Sequence, residues 1–174
     1  MKELKDYVRS IIDFPQKGVI FRDVTTVLQD SEGLQLAINS MQENLKDLDF
    51  NVIVAPESRG FIFGMPIAYN MKKAFVPVRK KGKLPCETIE ESYDLEYGKA
   101  ILEIHKDAIK LGDKVVIIDD LMATGGTIGA IIKLVERLGG KVVKINCLIE
   151  LPDLKGREKL KDYEICSSIE YEGE

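Results

Sequence analysis

The chain has 174 residues, 45% hydrophobic and 31% charged, a balance that fits one soluble globular domain long enough to bury a core. Its formal net charge is −4 and no long run of Lys or Arg marks a basic face, which argues against a nucleic-acid binder. Cys86, Cys147 and Cys166 are scattered and form no CxxC pair, so a reducing, cytoplasmic setting is expected rather than a disulfide framework or a zinc site.

In chain order, the opening "MKELKDYVRSII" is too charged for a secretory signal. No apolar run approaches the roughly 20 residues that span a bilayer, so no membrane partner is expected. Residues 1–30 precede the first repeating unit and are expected to form a small cap. Residues 33–48, with Leu34, Ile38, Met41 and Leu45 at helical spacing, predict a helix. "NVIVA" (51–55) and "AFVPV" (74–78) are short, β-branched and continuously apolar. That pattern suits strands buried on both faces of a parallel sheet. Between them "PESRG" (56–60) leads into a helix from Phe61. Its Ser58, Arg59 and Gly60 would offer N–H donors and a forked guanidinium to an anion.

From Lys80 to Glu96, "KKGKLPCETIEESYDLE" breaks the rhythm with charge, Gly82 and Pro85. It reads either as a mobile lid or as a β-hairpin extending a sheet edge. His105 lies at the end of a strand after "LEI", and a structural role is expected for it. "VVIID" (115–119) and "VVKINCLIE" (142–150) complete the strands. Between them Ile128, Ile131, Ile132, Val135 and Leu138 line one face of a helix over 127–138, stopped by Gly139-Gly140. The βαβα order predicts a single α/β domain, an open doubly wound and mainly parallel sheet.

The strand ending in Asp119 and Asp120 runs into "LMATGGT" (121–127). Gly125 and Gly126 let the backbone turn sharply and come close to a ligand, and Thr124 or Thr127 can cap the helix. The turn reads as a monophosphate site, since neither GxxxxGK[ST] nor GxGxxG occurs. In an open parallel sheet this turn and "PESRG" leave strands at one edge. A ligand with two phosphate-bearing ends is implied, and the acids between them suit the diol of a ribose or attract Mg²⁺.

"VVIIDDLMATGGT" (115–127) resembles the phosphoribosyl pyrophosphate signature of the type I phosphoribosyltransferase family. "FPQKGVIFRDVT" (14–25), "ESRGFIFG" (57–64), "VRKKGKLP" (78–85), "YDLEYGKAILEI" (93–104) and "LKGREKL" (154–160) resemble stretches of the family's adenine-using branch, in the same order over nearly the whole chain. The resemblance implies that fold with an amino-terminal hood (about 1–30) and a flexible lid loop (about 80–96). It also implies the reaction: adenine and phosphoribosyl pyrophosphate give AMP and pyrophosphate, with Mg²⁺ carried on the substrate near Asp119 and Asp120. On it, Ala123, Thr124, Gly125, Gly126 and Thr127 cradle the 5′-phosphate, and Asp119 and Asp120 hold the ribose. Ser58, Arg59 and Lys83 take the pyrophosphate, with a cis peptide at Glu57–Ser58. Arg79 is implied to serve the neighbouring subunit of a homodimer. The backbone of Ile20 and Arg22 would read adenine while Phe21 stacks on it and Leu121 packs opposite. Phe21 alone would read as a core residue; the match around it reverses that. Glu96 is implied as general acid/base. A nucleic-acid-binding regulator on the same fold, or transfer to guanine, xanthine or orotate, fits the charge and the cap sequence less well.

Overall fold

The computed structural model describes residues 2–94 and 98–173. The apolar runs become inner strands, three of them a little longer than the apolar stretch and the first shifted by one residue. The order is β1 (Arg9–Ile12), β2 (Ile20–Asp23), α1 (Thr25–Gln29), α2 (Ser31–Glu43), β3 (Val52–Pro56), α3 (Arg59–Asn70) and β4 (Ala74–Lys80). It continues with β5 (Thr88–Asp94), β6 (Lys99–His105), β7 (Lys114–Met122), α4 (Gly126–Arg137), β8 (Lys141–Glu150), α5 (Gly156–Lys159) and β9 (Ile165–Glu170).

Among the described residues one seven-stranded sheet runs β5-β6-β4-β3-β7-β8-β9. Strands β4, β3, β7, β8 and β9 are parallel. Both faces of the inner strands are apolar, so alternate residues feed separate cores. Ile53, Val116 and Ile118 meet α2 and α3 through Met41, Phe63 and Ile67. Val54, Val115 and Ile117 meet α4 through Ile128, Ile131 and Val135. This double cover is why the strands lack polar alternation. Helix α2 starts where Asp30 accepts from the Glu32 and Gly33 N–H groups (2.9 and 3.0 Å), two of the four donors a helix start leaves unpaired. It stops at Glu43, and Leu45 is buried from the turn beyond.

The region 80–96 is a hairpin rather than a structureless loop as far as it is described. β5 pairs antiparallel with β6 from Thr88↔His105 to Asp94↔Lys99. β6 pairs antiparallel with the end of β4, Arg79 facing Glu103. The hairpin therefore extends the sheet past β4, and its strand β5 lies against α4. Glu91 takes ion pairs there from Lys133 (3.1 Å) and Arg137 (3.3 Å). The amino-terminal segment is a separate two-stranded ribbon, β1 with β2, and ends in the buried Asp23. His105 closes β6 and accepts the Cys86 N–H at Nε2 (3.4 Å), a structural role.

Candidate active site

Strand β7 carries its backbone past the two acids to Met122 before turning, three residues beyond the end of the apolar run. The turn is left-handed at Gly125, with φ of 80°, a conformation costing a side-chain-bearing residue about 1–2 kcal/mol. Gly125 itself occupies the N-cap, and no side chain caps α4. The caps expected from Thr124 or Thr127 do not form, so the first N–H groups of this twelve-residue helix stay directed at the turn. A second glycine explains how the turn is held. A Cβ on Gly156 would lie 2.6 Å from the Ala123 carbonyl oxygen, so α5 packs backbone against backbone behind the turn. Arg157 locks that segment, donating to both carboxylate oxygens of the buried Glu150 (2.6 and 2.7 Å), the bidentate geometry that makes such pairs strong.

The other loop uses side chains instead. The Glu57–Ser58 peptide is cis, and α3 begins at Arg59, two residues before the apolar pattern suggests. Glu57 accepts from the Lys80 N–H (2.7 Å) and from Arg79 Nε (3.3 Å). Burial works against its charge, but these donors prevail and hold its carboxyl below the usual range. Gly60 is required by close approach: a Cβ there would sit 2.8 Å from Pro56 Cδ and 3.2 Å from Asp119 Oδ1.

Both acids turn toward this second loop, away from the glycine turn. Asp120 accepts from Arg59 Nε, and Asp119 Oδ1 lies beside Gly60 and accepts the Asp120 N–H (2.8 Å). Burial and then the neighbouring Asp120 push the Asp119 carboxyl well above the usual carboxylate range.

A cleft of about 460 Å³ lies between the two loops. Ser58, Arg59, Asp119, Asp120, Leu121 and the whole of Ala123–Thr127 line it, as the sequence leads one to expect. Tyr93, Lys80 and Leu102 also line it and escape sequence reasoning. Tyr93 comes from β5, its ring 3.4 Å from where a Gly126 Cβ would stand. Only the pairing of β5 with β6 brings it there. Gly156 carried a signal, a lone glycine in "LKGREKL", but its partner is 33 residues away in the chain.

The remaining expected residues stand outside the lining. Phe21 meets Phe14 edge-on at 5.3 Å, and Arg22 lies 4.0 Å over the Tyr171 ring and donates to Ser10 Oγ (2.6 Å). Ile20 pairs with Ile12 in the ribbon. Lys83 is exposed on the turn after β4, its carbonyl bound by Arg79 (3.3 Å). Glu96 lies outside the described residues.

Among the described residues no group of three or more His, Cys, Asp or Glu is arranged to hold a metal ion. The acids present suit a cation brought by a phosphate ligand, since Asp119 and Asp120 supply oxygen donors. No described helix is long and apolar enough to cross a membrane.

Residues 24–173 match the phosphoribosyl transferase domain family. An adenine phosphoribosyltransferase of Lachnoclostridium phytofermentans is 69% identical over 173 residues, 99% of each chain. The crystal structure of the adenine phosphoribosyltransferase from Thermoanaerobacter pseudethanolicus superposes with a TM-score of 0.94 at 52% identity, covering 97% of this chain and 98% of that one. The Saccharomyces cerevisiae enzyme, crystallised with an imino-altritol bisphosphate and adenine, gives 0.89 at 37% identity over 95% and 96%. With its glycine turn, its paired acids and relatives of this identity along almost all its length, the chain belongs to the phosphoribosyltransferase family, in its adenine phosphoribosyltransferase branch.

Proposed function

We propose that the chain transfers the 5-phosphoribosyl group of phosphoribosyl pyrophosphate to adenine, the substrate carrying Mg²⁺. Adenine N9 bonds to the anomeric carbon as the bond to pyrophosphate breaks, its electron pair leaving on the pyrophosphate oxygen. The N9 proton passes to a base, a role we assign to Glu96. One observation carries the reading: a glycine turn and the 56–60 loop flank one cleft with a carboxylate pair between them. The 5′-phosphate takes the N–H groups of 123–127 and the pyrophosphate takes Ser58 and Arg59, with Lys83 reaching in from its turn. Asp119 and Asp120 hold the ribose hydroxyls and stabilise positive charge developing at the anomeric carbon. The yeast relative was crystallised with a bisphosphate and adenine, the ligand chemistry that this reading calls for.

The ribbon supplies the base site, with Ile20 and Arg22 backbone groups and Phe21 on one side of adenine and Leu121 on the other. The general family match begins at residue 24 and omits the ribbon, whereas the adenine phosphoribosyltransferase relatives match through it. That is the pattern expected of a base-selecting element. The hairpin at 80–96 closes over the site and excludes water from an oxocarbenium-like transition state. A homodimer is favoured by α3, where Ile62, Met65 and Tyr69 are exposed at i, i+3 and i+7, and Arg79 then serves the neighbouring site. The cysteines, all free, suit a cytoplasmic enzyme.

The test offers purified protein, phosphoribosyl pyrophosphate and Mg²⁺ with adenine, guanine, hypoxanthine or xanthine and records pyrophosphate release. Release with adenine alone is expected; equal release with guanine or hypoxanthine, or none with adenine, overturns the reading.

A further inference from the structure

Glu103 is a buried carboxylate, 3% exposed, on the strand beside β4, and it touches nothing in the cleft. Its Oε1 accepts two successive backbone N–H groups, Lys83 at 3.0 Å and Leu84 at 2.8 Å. An acid is rarely buried without a cation beside it unless several donors satisfy it, and here the donors belong to one turn. Burial disfavours the charge, yet these donors hold the carboxyl below its usual range. On the other side of the same turn, Arg79 Nη1 grips the Lys83 carbonyl (3.3 Å) while its Nε bonds Glu57 in the second loop (3.3 Å). Arg79 and Glu103 face each other across β4 and β6. The Lys83 side chain is exposed, so these backbone bonds are what fix where it starts.

We propose that Glu103 is a positioning residue for the leaving-group end of the cleft: it clamps the 82–84 turn, and so Lys83, in register with the 56–59 loop. The inference rests on the pyrophosphate role of Lys83 proposed above and deepens it. Without the carboxylate, two N–H groups lose their acceptor and the turn gains freedom, which ligand binding must then remove.

Steady-state kinetics of E103A, E103Q, K83A and the E103A/K83A double variant test this, with the melting temperature recorded for each. E103A should raise KM for phosphoribosyl pyrophosphate about tenfold, with kcat within about twofold and KM for adenine unchanged. E103Q keeps an acceptor oxygen and should rescue most of the loss, leaving KM about threefold raised; if E103A does not fold, that threefold rise is the test. In the double variant E103A should add little to K83A, because it acts through Lys83. Unchanged KM in E103A and E103Q, a parallel rise in KM for adenine, or full additivity with K83A overturns the inference. If K83A leaves KM for phosphoribosyl pyrophosphate unchanged, the role of Lys83 falls and the clamp with it. Failure of the proposed reaction would show separately, as an unaltered chain that does not use adenine.

Discussion

The two strand-end loops that bound the cleft line it together but are made differently. The glycine turn is shaped by its backbone, with no side-chain cap, left-handed at Gly125 and backed by the bare Cα of Gly156. The 56–60 loop is a web of side chains: Arg59 to Asp120, Arg79 and the Lys80 N–H to Glu57. A backbone cradle has no rotamers to adjust, so any added atom must displace main chain. A side-chain web can lose one strut and keep its outline. The difference makes the first loop intolerant of volume and the second sensitive to charge and pH.

The strongest way to break this comparison is Gly125→Val. A β-branched residue at φ 80°, with its Cβ 3.2 Å from the Gly156 oxygen, should weaken phosphoribosyl pyrophosphate binding by about 100-fold or more, the scale of losing preorganised N–H donors. Calorimetric titration reads it, and near-normal affinity would remove the backbone cradle from the account. Gly156→Ala is subtler, since the residue does not line the cleft. Its Cβ would press on the Ala123 carbonyl at 2.6 Å, and affinity should fall about tenfold while KM for adenine holds. In the other loop, Arg59→Lys keeps the charge but loses the fork. KM for phosphoribosyl pyrophosphate should rise about threefold, less than the effect of either glycine substitution; a loss above about tenfold would invert the contrast.

Acid sharpens the contrast with the smallest effect. Glu57 and Glu103 both hold their carboxyls below the usual range. Such groups contribute stability that is full above the ordinary Glu pKa and is lost as pH falls through the lowered one. Hydrogen-exchange protection of the Lys80, Lys83 and Leu84 amides should therefore drop between about pH 5 and pH 3. Gly129, whose N–H donates to the Gly125 carbonyl at 2.9 Å, should keep its protection over that range. Parallel loss at both loops would mean global loosening and no difference in construction.

The same contrast separates what could be read in the chain from what could not. "VVIIDDLMATGGT" is contiguous, and its meaning survives without a structure because the strand, the acids and the turn adjoin covalently. The direction the acids take was not legible. Asp120 meets Arg59 from 61 residues away, turning to the loop that supplies its donor, and Asp119 lies beside Gly60 of the same loop. The capping threonines failed as an expectation because a left-handed Gly125 already fills the N-cap. The charged stretch at 80–96 left lid and hairpin open. Cross-strand pairing with β6 decided for a hairpin in its described part, and that pairing also brings Tyr93 over Gly126.

By itself the sequence determined the layered α/β order, the glycine turn and the acid pair, because apolar periodicity and backbone freedom are properties of neighbouring residues. Tertiary structure alone decided that Gly156 backs the turn, that Glu103 holds 82–84 and that both acids lean toward Arg59. Each of these is a contact between distant segments, set by strand register and by the need of every buried polar group to find a partner.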